Sequence, residues 1–199
     1  VFTGTLGDYL QDDILAEAGN WSMEDYDLER TSFIYYVDSG GDIQQLQQIY
    51  TTTDRQWASL DEIPEAMVHA AVAIEDKRFY EHQGVDWITT VKACLNMFFG
   101  GDEQFGGSTI TQQLVKNLTQ EKSITVQRKV MEIFRAQVFE REYDKDKIME
   151  EYLNRIYLGR GCYGVKSAAA EYFGKELQSL TVAECASLIS ITNNPSLFN

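Results

Sequence analysis

The chain has 199 residues, 44% of them hydrophobic, which is enough apolar material for a buried core and excludes an intrinsically disordered segment. A formal net charge of −14 excludes a general nucleic-acid binder, and no apolar run approaches the roughly 18 residues needed to cross a bilayer. The acidity is uneven: residues 1–62 hold 13 acids and 2 bases, whereas 63–199 hold 18 acids and 15 bases.

In chain order, residues 1–31 read as an acidic helical stretch with a break at Gly19-Asn20. The aromatic, β-branched segment Ser32–Asp38 predicts a strand, Gly40-Gly41 a turn, and Gln44–Tyr50 and Gln56–Leu60 two further short strands. Beyond Asp61 the pattern becomes helical. Pro64 suits a first helical turn, and the Ala-, Val- and Met-rich run Glu65–Ile74 predicts a buried helix. A helix over 87–99 follows, then a mobile loop containing Gly100, Gly101, Gly106 and Gly107. Ser108–Thr119 predicts a helix with Ile110, Leu114 and Leu118 as its apolar stripe. Thr125–Tyr143 predicts another, with Val126, Val130, Ile133, Phe134 and Val138 turned inward, and Asp146–Tyr157, Val165–Phe173 and Thr181–Ile191 complete the series. Cys94, Cys162 and Cys185 have no metal-ligand spacing; Cys94 and Cys185 read as small core residues, and a Cys162–Cys185 bridge is open without positive support.

Three local patterns carry chemistry. Glu75 closes the apolar run Ala73-Ile74, so it is partly desolvated and a candidate proton acceptor; the competing reading is a helix-end acid paired with Lys77 or Arg78. His82 reads as structural. Gly106-Gly107-Ser108-Thr109 opens directly into a helix, where Thr109 and Gln112 fit a capping box and free backbone N–H groups form a ready anion site. Gln112, Gln113, Lys116 and Asn117 then make a polar face opposite the apolar stripe. Arg128 and Lys129 stand four and three residues before Glu132, so all three can point the same way, either as a surface ion pair or as a carboxylate among cations where phosphate charge develops.

Taken in order, the blocks EDKRFYEHQG (75–84), GGSTITQQLVKN (106–117), RKVME (128–132), KIMEEYLNRIYLG (147–159), YGVKSAAAEYFGK (163–175) and LTVAECASL (180–188) closely resemble the peptidoglycan glycosyltransferase family. This is the glycosyltransferase family 51 domain of class A penicillin-binding proteins and monofunctional transglycosylases. The resemblance covers 60–199 without large gaps and leaves 1–59 as a segment packing on the domain or leading into it.

That resemblance implies a mainly α fold, with a lysozyme-like helical lobe and a smaller membrane-facing jaw. The jaw would draw on Trp87, Leu95, Met97, Phe98, Phe99 and Phe105, with Trp87 and Leu95 equally readable as core. It implies inverting transfer of a glycan from undecaprenyl diphosphate to the 4-hydroxyl of lipid II. Glu75 is then the base, and Glu132 assists departure of the diphosphate by organising cations, a metal or a proton. Lys116, Arg128 and Lys129 contact phosphate, Ser108, Thr109, Gln112 and Gln113 shape the donor site, and Lys77, Arg78, Lys92 and Asn117 join the substrate-binding set. No tightly bound cofactor is expected; Mg or Mn accompanying the diphosphate near Glu132 is compatible. Expected partners are lipid II, lipid-linked glycan, the membrane surface, a covalently attached transpeptidase domain and cell-wall machinery, with no nucleic acid. The expected location is the outer face of the bacterial cytoplasmic membrane, with the anchor on a segment absent from this chain. Such sites are moenomycin targets. The chain departs from the family pattern at Ile124, where arginine is usual and Lys122 is the nearest substitute, at Met131, where lysine is frequent, and at Asn193-Asn194-Pro195-Ser196. A lysozyme-like glycosidase and a noncatalytic scaffold are the competing functions.

Overall fold

The computed structural model describes residues 23, 32–49, 54–92, 107–120 and 125–198. The helix expected over 1–31, the second half of the helix over 87–99, the loop glycines Gly100, Gly101 and Gly106, the jaw residues Leu95, Met97, Phe98, Phe99 and Phe105, and Cys94, Lys122 and Ile124 lie outside the described residues, apart from Met23, which is buried. The chain divides into two compact units, Val1–Asp27 with Ala71–Tyr152, and Leu28–Ala70 with Leu153–Asn199.

The second unit begins with an antiparallel hairpin, β1 (Ser32–Val37) and β2 (Ile43–Ile49), closed where Gly41 takes φ 92°. The next strand, β3, is Asp54–Arg55 rather than the expected Gln56–Leu60; it pairs in parallel with β4 (Cys162–Tyr163). Residues beyond β3 stay extended but find a side chain instead of a strand. Ala58 donates its N–H to Asn154 Oδ1 and accepts from Asn154 Nδ2, both at 2.8 Å, so one amide satisfies a buried peptide on both sides. Leu60–Glu62 is then a 3₁₀ turn, with Ser59 N donating to Glu62 Oε2 at 2.9 Å. Helix α5 (Val165–Phe173) has the predicted bounds and stops at Gly174 in the left-handed region. Helix α6 (Val182–Ser190) is started by Thr181 and Glu184 in a reciprocal capping box. Cys162 and Cys185 are both buried and free, which removes the disulfide option.

Glu184 carries the clearest acid-labile stabilisation. Lys175 Nζ at 2.6 Å, then Thr181 N at 2.7 Å and its hydroxyl at 2.9 Å, hold the carboxyl down to about 2. A folded-state value below the ordinary 4.5 means the stabilisation is complete above that pH and disappears as pH falls toward 2. The gap in urea midpoint between the wild type and Glu184→Gln should therefore close across that window; a gap independent of pH would contradict this.

Helices α1 (Glu65–Glu75) and α4 (Lys145–Arg155) run through both units. Helix α1 is amphipathic rather than buried throughout: Met67 and Ala71 are inside, while Ile74 and His69 are exposed. In the first unit, α2 (Ile110–Thr119) buries Ile110, Leu114 and Leu118, the predicted stripe. Helix α3 (Val126–Glu142) differs from expectation. Its buried positions are Glu132, Arg135, Ala136 and Phe139, while Val130, Ile133, Phe134 and Val138 are half-buried. Two charged residues occupy the interior face because each has partners there, which hydrophobic periodicity does not register. Among the described residues no helix is long and apolar enough to cross a membrane.

Candidate active site

Glu75 ends α1 half-buried, and its Oε2 accepts a hydrogen bond from Gln113 Nε2 at 2.8 Å. The other end of that amide, Gln113 Oε1, lies 3.5 Å from the hydroxyl of Tyr152, a fully buried residue of α4. Burial, and then the charges of Glu75 and Asp76, push the Tyr152 hydroxyl well above its ordinary range, so it stays protonated and able to donate. A phenol on one side and a carboxylate on the other fix which way the amide faces.

Asp76 points elsewhere. Its Oδ2 accepts from the backbone N–H of Ile110 at 3.1 Å and from His82 Nε2 at 2.9 Å. Thr109 N donates to Gln112 Oε1 at 3.0 Å, and Gln112 N donates to Thr109 Oγ1 at 3.2 Å, completing the predicted capping box. The start of α2 was expected to offer free N–H groups to a ligand anion. Instead Asp76 is the anion there, and the N–H groups of Thr109, Ile110 and Gln112 are already engaged. Gln112 is fully buried and leaves the expected polar face; Lys116 and Asn117 are exposed, with Gln113 half-buried. The Thr109 hydroxyl is also committed, donating to Gly84 O at 2.6 Å.

Glu132 is 4% exposed yet meets two cations. Arg128 Nη1 lies 2.6 Å from its Oε2, and Lys129 Nζ bonds its Oε1. Lys129 Nζ also donates to Ser108 Oγ at 2.8 Å. The two acids are therefore tethered to one short segment, Glu75 directly at Gln113 and Glu132 through Lys129 at Ser108. Lys116 makes no ion pair among the described residues. Arg78 sits 3.5 Å from Asp86 and 3.4 Å from Glu81, while Lys77 and Lys92 are exposed. The residues present do not fit a resident divalent metal: Glu132 has both oxygens on cations, and among the described residues no three His, Cys, Asp or Glu side chains converge.

Beneath these groups lies a charged network the sequence did not reveal. His82 Nδ1 lies 3.9 Å from Glu140 Oε1, which accepts from the Thr111 hydroxyl at 2.5 Å; Glu140 Oε2 is 2.6 Å from Lys145 Nζ, itself over the Phe79 ring. Reading His82 as structural agrees with this placement. The available clue was the pair Glu75-Asp76, two adjacent acids that cannot both face one way at a helix end.

A family model described as Transglycosylase matches residues 41–199. This chain belongs to the transglycosylase family. Its relatives include penicillin-binding protein 1F of Bacillus subtilis, 43% identical over 82% of this chain, and penicillin-binding protein 1A of Escherichia coli, 41% identical over 89%. Penicillin-binding protein 1A of Aquifex aeolicus is 46% identical over 73% of the chain. The transglycosylase chain spans about a fifth of the length of these relatives, 22%, 20% and 20% respectively. The mainly α, lysozyme-like class expected from the sequence is the fold class of this family.

Proposed function

We propose that this transglycosylase domain polymerises peptidoglycan by joining lipid II to a growing lipid-linked glycan, with 60–199 carrying the activity. The observation that carries the reading is the unequal setting of two acids on one segment: Glu75 is held by a neutral amide, and Glu132 is held by two cations beside Ser108. Glu75 takes the proton from the acceptor 4-hydroxyl as that oxygen attacks the anomeric carbon from the face opposite the diphosphate. The bond from that carbon to the diphosphate oxygen breaks, inverting the centre, and the diphosphate leaves with both bonding electrons. Charge grows on its oxygens, where Arg128 and Lys129 are already in place and Lys116 is available. Glu132 acts as the organiser of those cations rather than as a metal ligand, and a divalent cation is accommodated only as a companion of the diphosphate. Lys77, Lys92 and Asn117 are the further substrate contacts along the same unit, whereas Arg78 turns to Glu81 and Asp86.

Cleavage of glycan by water would leave the paired cations on Glu132 without a use. Incubation with lipid II separates the readings: lengthening glycan supports transfer, whereas shortening of preformed glycan with no polymer refutes it. The work is placed at the outer face of the cytoplasmic membrane, in a longer protein bearing an anchor and a transpeptidase domain. Trp87 is 53% exposed, which favours its membrane-facing assignment over the core alternative.

Tyr152→Phe removes the hydroxyl that orients Gln113 and so loosens Glu75. The turnover number should fall about threefold with KM little changed, the lower end of one net hydrogen bond, in keeping with the 3.5 Å length. An unchanged turnover number would remove Tyr152 from this chain of contacts.

A further inference from the structure

A pocket of about 320 Å³ lies in the first unit, lined among others by Arg78, His82, Trp87, Ile88, Gln137 and Arg141. It opens on another side of α3 from Glu132. At about 100° per residue, Gln137 and Arg141 lie roughly 140° and 180° around α3 from Glu132. Its wall is rigid: Gly84 has φ 82°, and a Cβ there would meet Ala136 O at 2.5 Å, so the loop beside it is pressed against the α3 backbone.

The chemistry of the lining is selective. Arg141 is exposed and makes no ion pair among the described residues. Arg78 is loosely ion-paired, its Nε 3.4 Å from Glu81 and its Nη2 3.5 Å from Asp86, and it lines the pocket together with Arg141. Trp87 and Ile88, which line the same pocket, are 53% and 51% exposed at the start of the helical stretch over 87–92. Two guanidiniums next to an exposed indole and an exposed isoleucine match a phosphate ester that carries an apolar body. Residues 63–199, with 18 acids and 15 bases, carry little net charge against an anionic bilayer, so a local pair of cations can decide the contact.

We propose that this pocket binds the phosphodiester headgroup of an anionic phospholipid, with Arg141 and Arg78 on the phosphate and Trp87 and Ile88 against the glycerol and upper acyl chains. The proposal rests on the reading that the domain works at a bilayer, but its test needs no glycosyl transfer. The chain is partitioned onto vesicles of phosphatidylcholine alone and onto vesicles containing phosphatidylglycerol. Arg141→Glu should lose about thirtyfold in partitioning onto the anionic vesicles, and Arg141→Gln about fivefold, at the strength of single charges near such a surface. Binding to neutral vesicles should not change. Arg160→Glu, which makes the same change in net charge at another exposed arginine, is the control and should lose much less.

Equal losses for Arg141→Glu and Arg160→Glu would reduce the effect to overall charge and overturn the site. Saturable binding of inorganic phosphate without vesicles, lost in Arg141→Glu, would overturn the lipid assignment in favour of a soluble anion. Failure to polymerise lipid II, with the vesicle result intact, would refute the catalytic reading and leave this one standing.

Discussion

Glu75→Gln is expected to lower glycan polymerisation by about 10³-fold while leaving thermal stability nearly unchanged. The magnitude is that of removing a positioned general base, whose contribution falls in the range of roughly 10²–10⁴. Glutamine fills the same volume at the end of α1 and can still present its carbonyl oxygen to Gln113 Nε2, the contact made at 2.8 Å by the carboxylate. It cannot accept a proton at working pH. The acceptor hydroxyl would then have to attack while still protonated. Because Glu132, Arg128 and Lys129 are untouched, binding of lipid II and of diphosphate-bearing inhibitors should remain close to wild type. The measurement is single-turnover elongation of lipid II beside a binding titration on the same variant. A turnover loss below tenfold would take Glu75 out of the base's role, and a parallel collapse of affinity would assign it to substrate binding instead.

The legibility of this site in the sequence varied with the kind of interaction that built it. Local, short-range signals transferred well. The capping box at Thr109–Gln112 and the helix Val165–Phe173 depend on neighbours three or four residues away, which spacing displays directly. The Arg128–Lys129–Glu132 cluster was legible for the same reason. Long-range side-chain contacts did not transfer. Extended residues around Ala58 resembled a strand, but their partner is the amide of Asn154, 96 positions away. The inner face of α3 was assigned to its aliphatic residues because a periodicity rule scores Glu132 and Arg135 as outward. The anion site at the start of α2 was correctly seen as electropositive, yet the chain fills it with Asp76 from 34 positions upstream. Tyr152 and Gln113 likewise meet only after α2 and α4 have folded.

Asp76 should accordingly be the residue whose loss costs the most stability. Its carboxylate has about 3% of its side chain exposed and serves two donors, the Ile110 N–H at the start of α2 and the ring of His82. Asp76→Ala leaves both donors buried without that acceptor; among the described residues the other acid near His82 is Glu140, 3.9 Å from Nδ1 on the far side of the ring. Leaving two buried donors unsatisfied, at about 1–3 kcal/mol each, costs roughly 3–5 kcal/mol in all, a large fraction of the 5–15 kcal/mol that holds a typical domain together. For a chain of this size that corresponds to a fall in melting temperature of roughly 6–20 °C. Asp76→Asn should recover part of the loss, since its carbonyl oxygen can still accept one of the two bonds. The same substitutions should slow polymerisation as well, because the start of α2 fixes where Gln113 and Ser108 stand, and through them both acids. Calorimetry on the two variants decides the matter: a drop of only a degree or two for Asp76→Ala would mean that water or a rotated side chain replaces the carboxylate, and that the start of α2 is held by its capping box alone.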